Sequence, residues 1–179
     1  MRALRTMVLA TGLAVVAVPA ASADIFEGTQ DDDVLVGTIA HDDMFGFGGD
    51  DRIRARAGHD LVIGGPDRDR LFGGNGRDSL HGDAPPGETV DVSTTGRDRV
   101  RGGRGGDLIT TGPRADKVWP GRGRDRVRTG WGPDILFVRA DGKPDTYRCG
   151  RGIDRLGWWG EPEDIDTLVG CEIIHIAEP

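Results

Sequence analysis

The chain has 179 residues, with 30 acidic side chains against 23 Lys and Arg, a formal net charge of −7, and 30 glycines. That balance argues against nucleic acid as a partner and agrees with a bound cation. A 36% share of hydrophobic residues, so diluted by glycine, also excludes a thick apolar core.

Residues 1–23 read as a secretory signal peptide. Arg2 and Arg5 precede an apolar run from Met7 to Val18, and Ala21-Ser22-Ala23 offers small residues for cleavage before Asp24. The run is too short to span a bilayer, nothing later approaches ~18 apolar residues, and no Cys lies nearby to carry a lipid. The mature chain is expected to be secreted and extracellular, with no membrane span. Losing Arg2 and Arg5 leaves 21 basic residues against 30 acids, a net charge of −9.

From Asp33 an aspartate returns at every ninth residue, followed two places later by an apolar residue. The first run is Asp33/Leu35, Asp42/Met44, Asp51/Ile53, Asp60/Val62, Asp69/Leu71 and Asp78/Leu80. A second run is Asp98/Val100, Asp107/Ile109, Asp116/Val118, Asp125/Val127 and Asp134/Leu136. So strict a short period predicts a solenoid. Each unit gives one side chain to the core and sets one carboxylate at the same corner as its neighbours.

Between the runs, Gly87-Glu88-Thr89-Val90 reads as one degenerate unit in which Glu88 replaces Asp; a protruding loop beginning at Ala84-Pro85-Pro86 is the alternative. Beyond Phe137 the register slips by two and resumes at Asp145/Tyr147 and Asp154/Leu156. The domain plan is therefore a signal peptide over 1–23, repeats over 24–157 and a C-terminal cap over 158–179, since an open solenoid end must be closed. Trp158-Trp159 are expected to cap the core rather than stack on a sugar. Cys149 and Cys171 fall in the exported part, where an oxidising compartment permits one disulfide tying the cap to the last coil.

Stacked carboxylates at the ~4.8 Å strand spacing repel one another unless something positive lies between them. Calcium suits the inventory, because it accepts six to eight oxygens from carboxylates and from the carbonyls that glycine-rich turns expose. His41, His59, His81 and His175 show no mutual spacing suited to zinc or copper. The other neutraliser is arginine, which flanks the aspartate in Arg68-Asp69-Arg70, Arg97-Asp98-Arg99 and Arg124-Asp125-Arg126.

Two units, Gly73-Gly74-Asn75-Gly76-Arg77-Asp78-Ser79-Leu80-His81 and Gly102-Gly103-Arg104-Gly105-Gly106-Asp107-Leu108-Ile109-Thr110, match GGxGxDxUx in full. The chain thereby resembles the RTX, or haemolysin-type, calcium-binding nonapeptide repeat proteins of secreted bacterial origin. The resemblance implies an all-β, right-handed parallel β-roll. Six residues of each unit form a calcium-binding turn, three form a short strand, and two units make one coil. It also implies that several calcium ions sit between turns on one edge, pairing the Asp of one unit with that of the unit after next, such as Asp51 with Asp69 and Asp60 with Asp78. The implied ligands are Asp33, Asp42, Asp51, Asp60, Asp69, Asp78, Asp98, Asp107, Asp116, Asp125, Asp134, Asp145 and Asp154. Weaker sites are expected where glycines are replaced, in Gly37-Thr38-Ile39-Ala40, Gly64-Gly65-Pro66-Asp67 and Thr111-Gly112-Pro113-Arg114.

No HExxH, GxSxG or Cys/His pair points to catalysis, and acids at a ligand position are ligands before they are an acid/base pair. The chain is expected not to be an enzyme. Outward residues such as Phe45, Phe72, Trp119 and Phe137 among arginines suggest an alternative role as an extracellular module for a glycan or cell-wall component, with calcium only structural.

Overall fold

The computed structural model describes residues 6–8, 23–83, 95–159 and 166–174. The described residues form strands and turns, with no helix. In chain order the strands are β1 (Thr6–Val8), β2 (Ile25–Glu27), β3 (Val34–Val36), β4 (Asp43–Phe45), β5 (Arg52–Gly58), β6 (Leu61–Ile63), β7 (Arg70–Gly76) and β8 (Ser79–His81). There follow β9 (Arg99–Arg104), β10 (Leu108–Pro113), β11 (Lys117–Arg122), β12 (Arg126–Trp131) and β13 (Ile135–Arg139). The last four are β14 (Thr146–Arg148), β15 (Arg155–Trp159), β16 (Thr167–Val169) and β17 (Glu172–Ile174).

From β2 onward, successive strands alternate between two parallel sheets. One has nine strands in the order β1-β2-β4-β6-β8-β10-β12-β14-β16, and the other eight in the order β17-β15-β13-β11-β9-β7-β5-β3. This is the expected β-roll, with each coil made of two units. The alternation follows from the sequence: in Asp-x-apolar-x the period-2 pleat turns the Asp and the apolar residue inward and the residues beside them outward. Leu35, Met44, Ile53, Val62, Leu71, Leu80, Val100, Ile109, Val118, Leu136, Tyr147 and Leu156 are all buried in one continuous core.

Most of the turns reverse the chain within six residues by left-handed backbone at the second and fourth positions. Gly74 and Gly76 take φ +115° and +133° there, as do Gly103 with Gly105 and Gly121 with Gly123. Asp67 and Arg114 hold the fourth position at φ +78° and +91°, so these two turns keep the shape of the glycine pattern at a cost of roughly 1–2 kcal/mol each, whereas Thr29, Asp31, Thr38 and Ala40 do not take left-handed backbone.

Four features were absent from the sequence reading or opposed to it. The unit preference for the break is overturned. A degenerate unit would carry Asp98 to the sheet of β8, yet β9 pairs with β7 and β10 with β8. Partners across the break are 29 residues apart rather than 18, so the extra eleven lie within a single turn. Gly82 and Asp83 take the first two places of that turn: their N–H groups donate to Thr110 and Thr111 in the next coil, and Thr95-Gly96-Arg97-Asp98 complete it. The segment 84–94, with Gly87-Glu88-Thr89-Val90, lies outside the described residues.

Within the repeat span that starts at residue 24, one Asp/apolar pair precedes Asp33 and was not named: Asp24 and Phe26, both buried, at β2. Part of the segment assigned to the leader also joins the sheet, because Thr6–Val8 pairs with Ile25–Glu27; the cleavage segment Ala21-Ser22 lies outside the described residues. At the other end, β16 and β17 continue both sheets in parallel, so the closing segment is itself a coil. Trp158 is buried against the Tyr147 ring, 6.4 Å between centroids and edge-on, as capping requires. Cys149 and Cys171 form the expected disulfide, Cα–Cα 5.2 Å, between the coils that carry β14 and β16.

Candidate metal centre

Because the period of 18 is kept coil after coil, the aspartates stack into two buried rows, one at each corner where a turn enters a strand. Each carboxylate does one structural job. The backbone N–H of Asp51 donates to Oδ1 of Asp69 at 2.9 Å and that of Asp60 to Oδ1 of Asp78 at 3.0 Å. The same bond links Asp33 to Asp51, Asp42 to Asp60, Asp69 to Asp98, Asp78 to Asp107, Asp98 to Asp116, Asp107 to Asp125 and Asp116 to Asp134. Asp125 continues to Asp145 and Asp134 to Asp154, across the slip of two. Every aspartate named as an expected ligand thus lies on a row, where Asp51 neighbours Asp69 and Asp60 neighbours Asp78 through these N–H to carboxylate bonds.

The rows extend further than the sequence reading took them. Asp24 donates its N–H to Asp42, Asp145 to Asp166 Oδ1, and Asp154 to Glu172 Oε2. Asp24 was legible, nine residues before Asp33 and two before Phe26. Asp166 was not, because its spacing of 21 from Asp145 breaks the ninefold register, and Glu172, although 18 residues after Asp154, is a glutamate and not the aspartate of the motif.

The second oxygen divides the rows into three kinds of site. In Asp33 and Asp42 the protein itself satisfies Oδ2: the N–H and hydroxyl of Thr29 reach Asp33, and those of Thr38 reach Asp42. Asp145 Oδ2 likewise accepts the Tyr147 hydroxyl at 2.5 Å. By contrast, Oδ2 of Asp51, Asp60, Asp69, Asp78, Asp98, Asp107, Asp116, Asp125, Asp134 and Asp154 is buried without a hydrogen-bond partner. An ionised carboxylate oxygen in that position carries a heavy desolvation cost unless a cation or a proton meets it.

The first turn residue, five before the aspartate except at Asp98, where the insertion intervenes, decides how much room that oxygen faces. A Cβ built on Gly64 would stand 2.3 Å from Asp69 Oδ2 and 2.6 Å from the Gly82 carbonyl oxygen of the next coil. Gly46 opposes Asp51 Oδ2 and the Gly64 carbonyl in the same way, Gly73 opposes Asp78 and Gly102, Gly82 opposes Asp98 and Thr111, and Gly102 opposes Asp107 and Pro120. The missing side chain leaves a cradle lined by one carboxylate oxygen and one carbonyl oxygen from successive coils, which are hard oxygen ligands of the type calcium takes. At Asp60, Asp116, Asp125, Asp134 and Asp154 the first position is Ala55, Thr111, Pro120, Thr129 and Cys149, whose side chains occupy that place. The Thr111 and Thr129 hydroxyls donate to the Thr129 and Cys149 carbonyls at 3.0 and 2.8 Å, so threonine does there what a bridging cation would do. Among the described residues, no three His, Cys, Asp or Glu side chains converge as a metal cluster; most ligands would have to come from the backbone.

Burial and then the neighbouring aspartates hold these carboxyls far above the ordinary 3.8: Asp69 is pushed up to about 10, chiefly by burial and then by Asp98, and Asp98 to about 9 by burial and Asp116. Asp116 stands at about 8 and Asp51, Asp60, Asp107 and Asp125 at about 7, each with burial as the largest cause and the N–H of the preceding aspartate in its row opposing it. Arginine does not relieve them. The arginines that flank the row aspartates, Arg68, Arg70, Arg97, Arg99, Arg124 and Arg126, form no ion pair among the described residues and are all exposed, because a residue beside an inward aspartate points outward.

No helix among the described residues is long and apolar enough to cross a membrane. Comparison with curated proteins finds no match. The family model of the RTX calcium-binding nonapeptide repeat, in four copies, matches residues 21–46, 27–62, 45–80, 92–127 and 101–136. These matches span more than half of the chain and leave a gap at residues 81–91, within and beside the inserted turn segment. With its coils, turns and aspartate rows in the register the repeat demands, the chain belongs to the RTX calcium-binding nonapeptide repeat family.

Proposed function

We propose that this is a secreted calcium-binding β-roll whose folding is coupled to chelation of several ions between coils. The observation that carries the reading is the line of buried Oδ2 atoms without partners, each in a structure that already uses Oδ1. The ligands proposed first are Asp51, Asp69, Asp78, Asp98 and Asp107, where glycine leaves a cradle; Asp33, Asp42 and Asp145 are proposed as the weakest, since threonine or tyrosine already serves them. Asp60, Asp116, Asp125, Asp134 and Asp154 fall between. Calcium would supply positive charge between carboxylates of successive coils, and the turn carbonyls would complete its shell.

Coupling follows from the same geometry. The turns are rich in glycine, the residue that loses most conformational freedom on ordering, and the core receives about one large apolar residue per unit. The chain therefore depends on the ion for order, so it can stay loose where calcium is scarce and set where it is plentiful. Export is supported by the pattern of residues 1–23 and by a disulfide that suits an oxidising compartment. Residues 24–157 are proposed as the repeat body and 158–179 as the closing segment. We assign no catalytic role, because the row carboxylates are committed to the ladder. The deciding experiment is circular dichroism of the purified mature chain, titrated with calcium and then chelator, beside an ion count by calorimetry. Strand signal that rises with several bound equivalents and falls on chelation supports the reading; full order and no binding after stripping overturn it.

A further inference from the structure

The acidic net charge of the sequence is an interior property. The fourteen row aspartates from Asp24 to Asp154 are all buried; set them aside as neutralised, and in the mature chain 16 acids face 21 bases. The excess is concentrated on the outer face of the eight-stranded sheet. There, strand register stacks Arg52 on Arg70, Arg70 on Arg99, and Arg99 on Lys117 in one column. Like charges placed directly opposite across strands repel, and none of these four makes an ion pair among the described residues.

The neighbouring column holds Arg54, Phe72, Arg101 and Trp119 in register. The Arg54 and Arg101 guanidinium carbons lie 5.6 and 5.7 Å from the Phe72 centroid, and Arg101 is also 4.8 Å from the Trp119 ring. Trp119 in turn stacks on Phe137 at 4.7 Å and 5°. Cation–π contact fixes the guanidinium planes while leaving N–H edges free to meet an anion.

We propose that this face binds an acidic polysaccharide laid along the solenoid axis. The cations recur at the strand spacing of about 4.8 Å, over which an extended pyranoside chain advances by about one sugar ring, so carboxylates or sulfates carried on such a chain can meet successive strands. Single-stranded nucleic acid fits less well. Its recognition relies on bases stacking on open aromatic faces, and here Phe72 lies between guanidiniums while Trp119 is covered by Arg101 on one side and Phe137 on the other.

The test uses the full mature chain in saturating calcium, with circular dichroism verifying order, so that failure here is separable from failure of the calcium reading. Hyaluronate and chondroitin sulfate are the probes, dextran is the uncharged polysaccharide, and an oligothymidylate is the nucleic acid. Acidic glycans should bind with an affinity that falls as salt rises, and Arg54→Glu/Arg101→Glu should weaken them at least tenfold. The milder Arg54→Gln/Arg101→Gln should weaken them severalfold, and Arg126→Glu/Arg128→Glu on the other sheet should have little effect. Equal binding of dextran, tighter binding of oligothymidylate, or an equal loss from the opposite-face pair would overturn the proposal.

Discussion

Acid should substitute for calcium in this protein. In the metal-free fold, burial and then the neighbouring aspartates hold Asp98 at about 9, and burial holds Asp116 at about 8, whereas in the unfolded chain such a carboxyl titrates near 3.8. Between those values the folded form keeps a proton that the unfolded form has released. Stability therefore falls as pH rises, by about 1.4 kcal/mol per pH unit for each group. Over the window from 3.8 to about 8, Asp116 alone removes on the order of 5 kcal/mol, against a typical total of about 5–15 kcal/mol for a whole domain. Below 3.8 there is no further gain, and above the folded-state value no further loss.

The assay is far-ultraviolet circular dichroism of the chelated mature chain at pH 5 and pH 8.5, about where surface acids stay ionised and the rows change state. Strand signal should be present at the lower pH, absent at the higher, and restored at the higher by calcium. With calcium bound, order should vary little across the range, because the cation replaces the proton. A chelated chain equally ordered at both values would refute the reasoning, since ionised carboxylates would then be buried with neither cation nor proton to meet them.

The cradle makes a finer prediction. Gly64→Ala puts a methyl against Asp69 Oδ2 and the Gly82 carbonyl, and should cost about 1–3 kcal/mol by overpacking together with one calcium equivalent in a calorimetric titration; Ala55→Gly should raise the affinity of the Asp60 site in the same titration. Deleting residues 84–94, which joins Asp83 to Thr95 and leaves a turn of normal length, should preserve the melting temperature within a few degrees; loss of the folded baseline would show that the segment belongs to the coil. Reducing Cys149–Cys171, which closes a loop of sequence separation 22, should cost roughly 3 kcal/mol. Hydrogen exchange should place that loss at β14 to β17, and a uniform loss along the solenoid would contradict the assignment.

The ninefold spacing of Asp and apolar residue made the coil, the two sheets and the core legible, since register and pleat leave one choice of which side faces in. What it did not reveal were features in which two spacings compete. Steps of ten from Asp78 through Glu88 to Asp98 mimic a degenerate unit, and only strand pairing shows that Gly82-Asp83 and Thr95-Gly96-Arg97-Asp98 close one turn. Glu172 escaped because it is a glutamate where the motif has aspartate; in the sheet it stands opposite Arg155 rather than Asp154 and reaches back with a longer side chain. The partition among candidate sites was half visible. Loss of glycine at Thr38, Thr111 and Arg114 marks altered turns, but which oxygen a threonine hydroxyl serves depends on its place in the turn: Thr38, at the second position, serves its own Asp42, whereas Thr111, at the first, donates to the carbonyl of Thr129 in the next coil.

The identity of the row residue separates what the fold needs from what the chemistry needs. The ladder asks only for a side-chain oxygen that accepts one N–H from the coil before it, and asparagine offers that oxygen too. Its amide nitrogen would then face the carbonyl that now lies beside the orphaned Oδ2, as donor to acceptor, and the site would be complete without charge. A solenoid built for stability alone would favour asparagine at Gly64/Asp69 or Gly102/Asp107. Instead every row position from Asp24 to Asp154 is aspartate, including Asp69 and Asp98, whose carboxyls are pushed highest. A charge placed so repeatedly where the fold is penalised for it has its compensation in a ligand, and Asp69→Asn tests this directly. It should raise the stability of the chelated chain at pH 8.5, lower the number of calcium ions bound, and flatten the pH dependence. A variant less stable in chelator than the parent would mean that the carboxylate, and not the cation it awaits, is what the coil requires.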